Sequence, residues 1–272
     1  MHDDADADPE PPVAHAPPEP ELVVRVTIKR HIRDLDPAHE GGGSAAKILG
    51  DTEGNQWLVK APNNPQGIRI LANEYVAAAL GARIGAFMQP GAVCMVYDEV
   101  ASAMTLPTGV WLAGAAFGSA LADGTKPYLD SMAPEIRNRD QLLGAIALDT
   151  WLSQHDSRQA RVRDALGGGY DVIPVDFGHC IGPSNWADLA ARPPIISVHD
   201  PNGWSTGVTA ASVNAISDSI VGVTSGELQA IVSSIPDTWG VSEDERAGLI
   251  AFLVARRSGA IGALHAFAPA AP

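Results

Sequence analysis

Cysteine, lysine and long apolar runs are all scarce in this sequence. Only two cysteines, Cys94 and Cys180, occur in 272 residues, which excludes a framework of several disulfides and favours reduced thiols in the cytoplasm. No run of about 18 or more apolar residues is present, so we expect no membrane-spanning segment. The N-terminus lacks the basic start and the apolar stretch of a signal peptide. These absences together predict a cytoplasmic protein that does not contact a membrane.

The positive charge that nucleic-acid binding requires is also missing. The formal net charge is -14, and residues 1–21 hold seven acidic and no basic side chains. The rest of the chain is still acidic and has no basic stripe, so binding to a phosphate backbone is not expected. Residues 1–20 are rich in proline and poor in aromatic side chains, which predicts a disordered acidic tail. Residues 265–272 are predicted to form a second loose end.

Strand patterns dominate the first half of the chain. Residues 21–29, 56–61 and 92–97 are apolar or alternate between apolar and polar side chains, which predicts three strands. A short further strand is expected after the glycines near position 42. Residues 68–85 have the composition of a helix with one apolar face. The first half is therefore predicted to be a sheet with one helix.

Helix patterns dominate the second half. Residues 138–152 form a strongly apolar helical segment, and Gly167–Gly169 reads as the turn of a hairpin. Thr224 and Ser242 are each followed three residues later by glutamate, which is the capping-box pattern that starts a helix. With a connector near 100–112, these patterns predict an α+β fold of two lobes: a sheet-rich N-lobe over 21–107 and a mainly helical C-lobe over 108–264.

A lysine, a glutamate and a glycine turn stand out in the N-lobe. Lys60 ends an apolar strand, and Glu74 lies fourteen residues on in an apolar helix. A strand lysine paired with a helix glutamate can hold a cation against nucleotide phosphates. The segment Gly41-Gly42-Gly43-Ser44 precedes them, and glycine allows backbone N–H groups to approach phosphate closely. It matches neither the Walker A pattern nor the G-x-G-x-x-G pattern.

Two aspartates stand out in the C-lobe. Asp156 follows an apolar helix in a polar turn, which suits a base that orients a substrate proton. Asp176 follows an apolar strand and begins the tripeptide Asp-Phe-Gly, where a carboxylate suits Mg²⁺. Alone, each of these features is equally an ordinary turn or surface residue. Their order along the chain (glycine turn, strand lysine, helix glutamate, loop aspartate, Asp-Phe-Gly) predicts a site for phosphoryl transfer.

The sequence from about residue 40 to 180 resembles the HipA-like kinases, which are bacterial relatives of protein and phosphoinositide kinases. Three segments resemble family motifs: GNQWLVKAPN, which contains Lys60; LANEYVAAALGARIG, which contains Glu74; and GAAFGSAL. In DTWLSQHDSRQAR, the residues Asp149 and Asp156 match without a gap, and VDFGH contains Asp176. The resemblance implies a two-lobed protein-kinase-like fold that binds ATP and Mg²⁺ between the lobes.

The resemblance also implies a role for each residue. Lys60, held by Glu74, would neutralise the phosphates, Asp176 would hold Mg²⁺, and Asp156 would orient the acceptor hydroxyl. The glycine turn and its serine would cover the phosphates through backbone N–H groups. The residues concerned in binding the nucleotide are then Gly41, Gly42, Gly43, Ser44 and Lys60.

Two positions depart from the family pattern. Gln154 stands where the family has an asparagine two residues before the loop aspartate, and Arg161 stands where it has a metal-binding asparagine five residues after it. An arginine has no acceptor lone pair, so Arg161 is not a ligand of Mg²⁺. Arg158 and Arg161 are expected to bind phosphate through their guanidinium groups instead.

Three functions remain open at this point. The first is an ATP-dependent phosphotransferase that phosphorylates a protein serine or threonine. The second is a pseudokinase that binds nucleotide without transferring phosphate, and the third is a regulatory domain that binds a protein partner. A metal or triad site around His155 and His179 is not expected, because ligand spacings are missing. Those histidines are interpreted as loop residues, and Cys180 as a small buried side chain.

Overall fold

The structure is a computed structural model of a mixed α+β protein. It describes residues 23–35, 43–122, 124–154, 156–182, 186, 189, 200 and 203–266. The predicted acidic tail over 1–20 lies outside the described residues, and so does 265–272 apart from its first two positions.

Five strands of the first half close into a barrel. The order around the barrel is β1-β2-β3-β7-β4, and every neighbouring pair is antiparallel except β1 with β4. The three strands predicted at 21–29, 56–61 and 92–97 are all confirmed. The barrel strands are β1 (Val24–Asp34), β2 (Lys47–Asp51), β3 (Gln56–Lys60), β4 (Gly91–Val96) and β7 (Gly114–Ala120).

The barrel extends further along the chain than the sequence suggests. Strand β7 pairs with β3 and β4, so the predicted boundary at 107 falls before the last strand of the barrel. The pairing of β7 joins segments far apart in sequence, which local patterns do not reveal. Between β4 and β7 lie three short elements: α2 (Asp98–Ala101), β5 (Thr105–Leu106) and β6 (Gly109–Val110).

Helix α1 (Arg69–Ile84) confirms the helix predicted at 68–85. Of its 16 residues 13 are buried, because α1 packs on β4 and β7 on one side and on helices of the second half on the other. Its run of alanines allows this close approach from both sides. The helix therefore holds its polar side chains, including Glu74, at the junction of the barrel and the helices.

The second half contains four long helices and a three-stranded sheet. The helix predicted at 138–152 and the hairpin around Gly167–Gly169 are confirmed. Both predicted capping boxes are present, at Thr224 and at Ser242. The elements are β8 (Lys126–Pro127), α3 (Arg139–Leu152), β9 (Gln159–Asp164), β10 (Tyr170–Val175), α4 (Ala210–Val221), α5 (Ser225–Ser233) and α6 (Glu243–His265).

Helix α6 is long and apolar enough to cross a membrane by those two criteria, although no span was expected from the sequence. Its side chains tie it to the neighbouring helices instead. Arg256 donates hydrogen bonds to the backbone carbonyls of Thr150 and Trp151, and the Trp151 indole donates to Leu253 O at 2.8 Å. These contacts join α6 to the end of the helix Arg139–Leu152.

Candidate active site

Lys60 lies between two carboxylates. It is the last residue of β3, and its Nζ donates to Glu74 Oε1 at 2.5 Å and to Asp176 Oδ1 at 2.7 Å. Glu74 comes from α1, and Asp176 follows β10 directly. The structure therefore brings together three of the residues singled out in the sequence, although 116 positions separate Lys60 from Asp176.

Helix α1 fixes the Asp-Phe-Gly segment at two further points. The second oxygen of Glu74 accepts a hydrogen bond from the backbone N–H of Phe177 at 3.2 Å. The neighbouring Asn73 donates to the carbonyls of Gly178 at 2.6 Å and Gly182 at 3.0 Å. Asn73 was not singled out in the sequence. The signal was a polar residue within an apolar helix, and this residue is fully buried.

The backbone at Asp176 is in the left-handed region, with φ of 63°. This conformation is uncommon for a residue other than glycine and is concentrated at functional sites. Gly178 follows closely, and a Cβ atom there would lie 2.6 Å from Ile70 Cγ2 and 3.2 Å from Lys60 Nζ. A larger residue would therefore displace α1 or the lysine, which explains the glycine of this tripeptide.

The electrostatics follow from two carboxyl groups sharing one ammonium. Burial alone lowers the pKa of Lys60, but the charges of Glu74 and Asp176 outweigh burial and raise it well above its ordinary value. Burial raises the pKa of Glu74, since Lys60 offsets it only in part. Burial also acts to raise the pKa of Asp176, but Lys60 outweighs it and lowers the pKa to about 2. Asp176 is therefore anionic at neutral pH.

A narrow cleft lies beside this cluster. It has a volume of about 50 Å³ and is lined by Lys60, Glu74 and Asp176 together with neutral side chains from the barrel and from the β9–β10 hairpin. The neutral lining residues are Leu35, Ser44, Ala46, Leu58, Phe117, Ser119, Gln159 and Val175.

The predicted glycine turn is described only in part. Gly41 and Gly42 lie outside the described residues. Gly43 and Ser44 are described, and Ser44 is 4% exposed and lines the cleft. The described end of the turn therefore contributes Ser44 to the same cleft as Lys60.

Asp156 lies in the turn between α3 and β9. Its side chain is exposed, and Oδ1 accepts a hydrogen bond from the backbone N–H of Ser157 at 2.8 Å. Three residues later, Gln159 lines the cleft. His155, which precedes Asp156, lies outside the described residues.

Arg158 has a different role from the phosphate binding predicted for it. Its side chain has no exposed surface. The guanidinium group forms a bidentate ion pair with Asp149 and donates to the carbonyls of Val175 and Asp176, both at 2.7 Å. It also stacks 3.9 Å from the ring centre of Phe177. Arg158 thus holds the backbone of the Asp-Phe-Gly segment, and its enclosed guanidinium group is inaccessible to a ligand. The sequence does not reveal that Asp149 lies beside it.

Arg161 also binds protein groups in the structure. It lies on β9, where it pairs with Ile173 of β10 and Pro127 of β8. Its Nε donates to Thr125 Oγ1 at 2.7 Å, and Nη2 donates to Thr125 O at 2.9 Å. These bonds connect the hairpin to the segment that leaves the barrel.

Two further expectations from the sequence concern single side chains. Cys180 is fully buried, and burial raises the pKa of its thiol well above the ordinary value, so the interpretation as a small core residue is confirmed. His179 lies in the loop after the Asp-Phe-Gly segment, as interpreted from the sequence, and its Nε2 lies 2.8 Å from Nε2 of Gln66 in the loop before α1. Gln66 carries no local sequence pattern that would single it out.

Among the described residues, no group of three or more His, Cys, Asp or Glu side chains lies close enough to hold a metal ion. A metal at this site would rely on few protein ligands. Asp176 Oδ1 accepts from Lys60 and from the Gly178 N–H, whereas Oδ2 receives no hydrogen bond from the described part of the chain.

The fold was compared with solved structures. The chain is similar to a kinase in fold: the crystal structure of the Helicobacter pylori proinflammatory kinase CtkA matches with a TM-score of 0.54. The match covers 89% of this chain and 98% of that chain, at 15% sequence identity. No protein-family model and no curated protein matches the sequence. The mixed α+β fold is therefore similar to that of a kinase. At this identity the likeness concerns the fold alone.

Proposed function

We propose that the protein is an ATP-dependent phosphotransferase of the HipA-like kinase type, with the barrel and the helical half acting as the two lobes around the nucleotide. The observation that supports this most strongly is the position of the Lys60 amine, between Glu74 of α1 and Asp176 after β10. A lysine held in this way can neutralise nucleotide phosphates, while an aspartate beside it binds the metal that accompanies them.

The cleft has a charged end and a neutral end, which would suit the phosphates and the base of a nucleotide. Lys60 pairs with Phe117 across the β3–β7 ladder, and Leu58 pairs with Ser119 two residues along. Strand residues two apart are separated by roughly 7 Å, so the charged end of the cleft passes into a neutral end within this distance. The phosphates would lie at Lys60, and the base would lie against the neutral side chains.

Binding a nucleotide requires the cleft to widen. The volume of about 50 Å³ is far below the roughly 300 Å³ or more of typical ligand sites. The barrel and the β9–β10 hairpin would therefore move apart when the nucleotide enters. Nucleotide binding can be measured by thermal shift, since a ligand that binds only the folded protein raises its melting temperature.

The donor set fits Mg²⁺ at one point. Asp176 is anionic, its side chain is 20% exposed, and its Oδ2 points to no donor among the described residues. Mg²⁺ prefers one or two carboxylates together with phosphate oxygens. Asp176 would hold the ion, which would supply charge neutralisation for the transferred phosphoryl group. Asp156, whose carboxylate is exposed, would orient the acceptor hydroxyl, for which a protein serine or threonine is the proposed source.

Substitution of Lys60 tests nucleotide binding. Lys60→Met should abolish the rise in melting temperature that Mg-ATP produces in the wild type, because the cation at the phosphate end is lost. Lys47→Met is the matched control: Lys47 is also a buried strand lysine, it pairs with Asp34 at 2.6 Å, and it does not line the cleft. Each variant is compared with its own nucleotide-free form. A Lys60→Met protein that keeps the full shift would place the nucleotide elsewhere.

A pseudokinase is the second candidate. Arg161 favours it, because a guanidinium bound to Thr125 cannot replace the metal-binding asparagine of the related kinases. Phosphoryl transfer separates the two functions. ATP consumption and self-phosphorylation by the wild type, both lost in Asp176→Ala, would support the transferase. A wild type that binds Mg-ATP without consuming it would support the pseudokinase.

A further inference from the structure

The loop between β3 and α1 bridges two segments that border the phosphate end of the cleft. Gln66 in this loop lies 2.8 Å from His179, which follows the Asp-Phe-Gly segment. An amide nitrogen can only donate, so Nε2 of Gln66 donates to Nε2 of His179, whose ring proton is then on Nδ1. Gln66 also occupies the space next to Gly43, since a Cβ atom built at Gly43 would lie 2.7 Å from the same amide nitrogen.

The backbone of this loop is held firmly. The N–H of Gln66 donates to Asn64 Oδ1 at 3.0 Å. The side chain of Asn64 is buried and donates to the carbonyls of Ala61 and Gly67. Gln66 therefore projects from a rigid loop, and its amide group cannot swing aside without breaking its bond to His179.

The segment that carries His179 is fixed as well. Asn73 of α1 binds the carbonyl of Gly178, the residue before His179, at 2.6 Å. The amide of Gln66 is thus bonded to an anchored imidazole and fills the space that a side chain at position 43 would occupy. Ser44, the next residue, is buried and lines the cleft beside Lys60.

We infer that Gln66 is a positioning residue, braced by His179, that fixes Gly43 and Ser44 against the polyphosphate of the bound nucleotide. This inference depends on the proposed function. It assigns the two side chains a role that concerns the phosphates, because Ser44 lines the same cleft as Lys60, the residue proposed to neutralise them. Hydrogen-bond donors that are already in position raise the affinity, because they lose no further conformational freedom when the ligand binds.

The test compares ligands with and without phosphates. Gln66→Ala should weaken binding of Mg-ATP by roughly fivefold to tenfold, the effect of one lost hydrogen-bonded positioning contact. Binding of adenosine, which has no phosphates, should be unchanged. Both are measured by calorimetry or thermal shift on the full chain. Asn63→Ala is the control, because Asn63 lies in the same loop but binds Val110 O and Leu112 N instead. It should leave both affinities unchanged.

A second measurement tests the brace. If Gln66 acts through His179, then His179→Ala should weaken Mg-ATP binding as much as Gln66→Ala, and the double variant should be no worse than either single variant. His179→Gln, whose amide oxygen can accept the same bond, should recover part of the affinity. Additive losses in the double variant would overturn the inference, and so would equal losses of adenosine and Mg-ATP binding.

The two levels of proposal fail in different ways. Suppose that Mg-ATP stabilises the wild type but not Lys60→Met, and that it stabilises Gln66→Ala to the same extent as the wild type. The inference about Gln66 is then wrong, and the proposed function stands. If Mg-ATP has no effect on the wild type, the proposed function is wrong and the inference falls with it.

Discussion

Two buried ion pairs hold the Asp-Phe-Gly segment, and they differ in charge balance and in access to solvent. Lys60 is shared between Glu74 and Asp176, so two carboxyl groups face one ammonium, and the Asp176 side chain is 20% exposed toward the cleft. Arg158 and Asp149 bring one guanidinium group against one carboxylate, and their side chains are 0% and 1% exposed. The first arrangement can accept a further cation or phosphate. The second is complete and enclosed.

Charged residues that lie near a predicted site in the sequence need not belong to that site. Arg158 lies two residues from Asp156 and was expected to bind phosphate. In the structure it forms four hydrogen bonds, to the Asp149 carboxylate and to two backbone carbonyls. A buried cation is stable only when paired in this way. Its role is to hold the backbone of Asp176, so it supports the open pair without contacting a ligand.

Breaking the enclosed pair should give the largest effect. Arg158→Leu removes the guanidinium group that faces the buried carboxylate of Asp149, and the free energy of unfolding should fall by about 3–5 kcal/mol. Urea denaturation at neutral pH measures this. The double variant Arg158→Leu/Asp149→Leu removes both charges and should recover part of the loss. A double variant that is no more stable than the single variant would contradict the account of a charge-balanced structural pair.

The ion pair between Lys60 and Asp176 should make the free energy of unfolding depend on pH. The pKa of Asp176 is lowered to about 2 in the folded protein, below its ordinary value near 4. Its contribution is therefore fully present above about pH 4 and is lost as the pH falls toward 2, with a size of at most about 2 kcal/mol. Denaturation from pH 7 to 3, with a chelator present, should show a loss in the wild type that Asp176→Asn lacks. The raised pKa of Glu74 acts in the opposite direction, so the difference between the two proteins is the informative quantity.

If wild type and Asp176→Asn lose stability in parallel as the pH falls, Lys60 does not stabilise the Asp176 carboxylate as the distances imply. The Lys60–Asp176 contact would then be weaker than the 2.7 Å separation suggests.

An exposed pair on the same hairpin should give the smallest effect. Arg163 of β9 lies 3.2 Å from Asp171 of β10, and its side chain is 52% exposed. Solvent screens such a pair, so Arg163→Gln should change the free energy of unfolding by no more than about 0.5 kcal/mol. The same urea denaturation measures it. A loss comparable to that of Arg158→Leu would mean that position on the hairpin, and not burial of the charge, determines the cost.

Much of the fold could be predicted because its signals are local. The capping boxes at Thr224 and Ser242 depend on residues three apart, and the hairpin at Gly167–Gly169 depends on its own glycines. The placement of β7 in the barrel could not be predicted in the same way. Its partners are β3 and β4, and the short apolar segment that contains it gives no sign of which strands it joins.

The sequence alone determined the identity and order of the groups around Lys60. A strand lysine, a helix glutamate and an aspartate before Phe-Gly can be read directly, since each occupies a recognisable local pattern. Which of these charges lie in contact depends on the packing of the folded chain. It paired Arg158 with Asp149, tied Asn73 to Gly178 and set Gln66 against His179, because these contacts join separate elements and arise from the requirement that buried polar groups find partners.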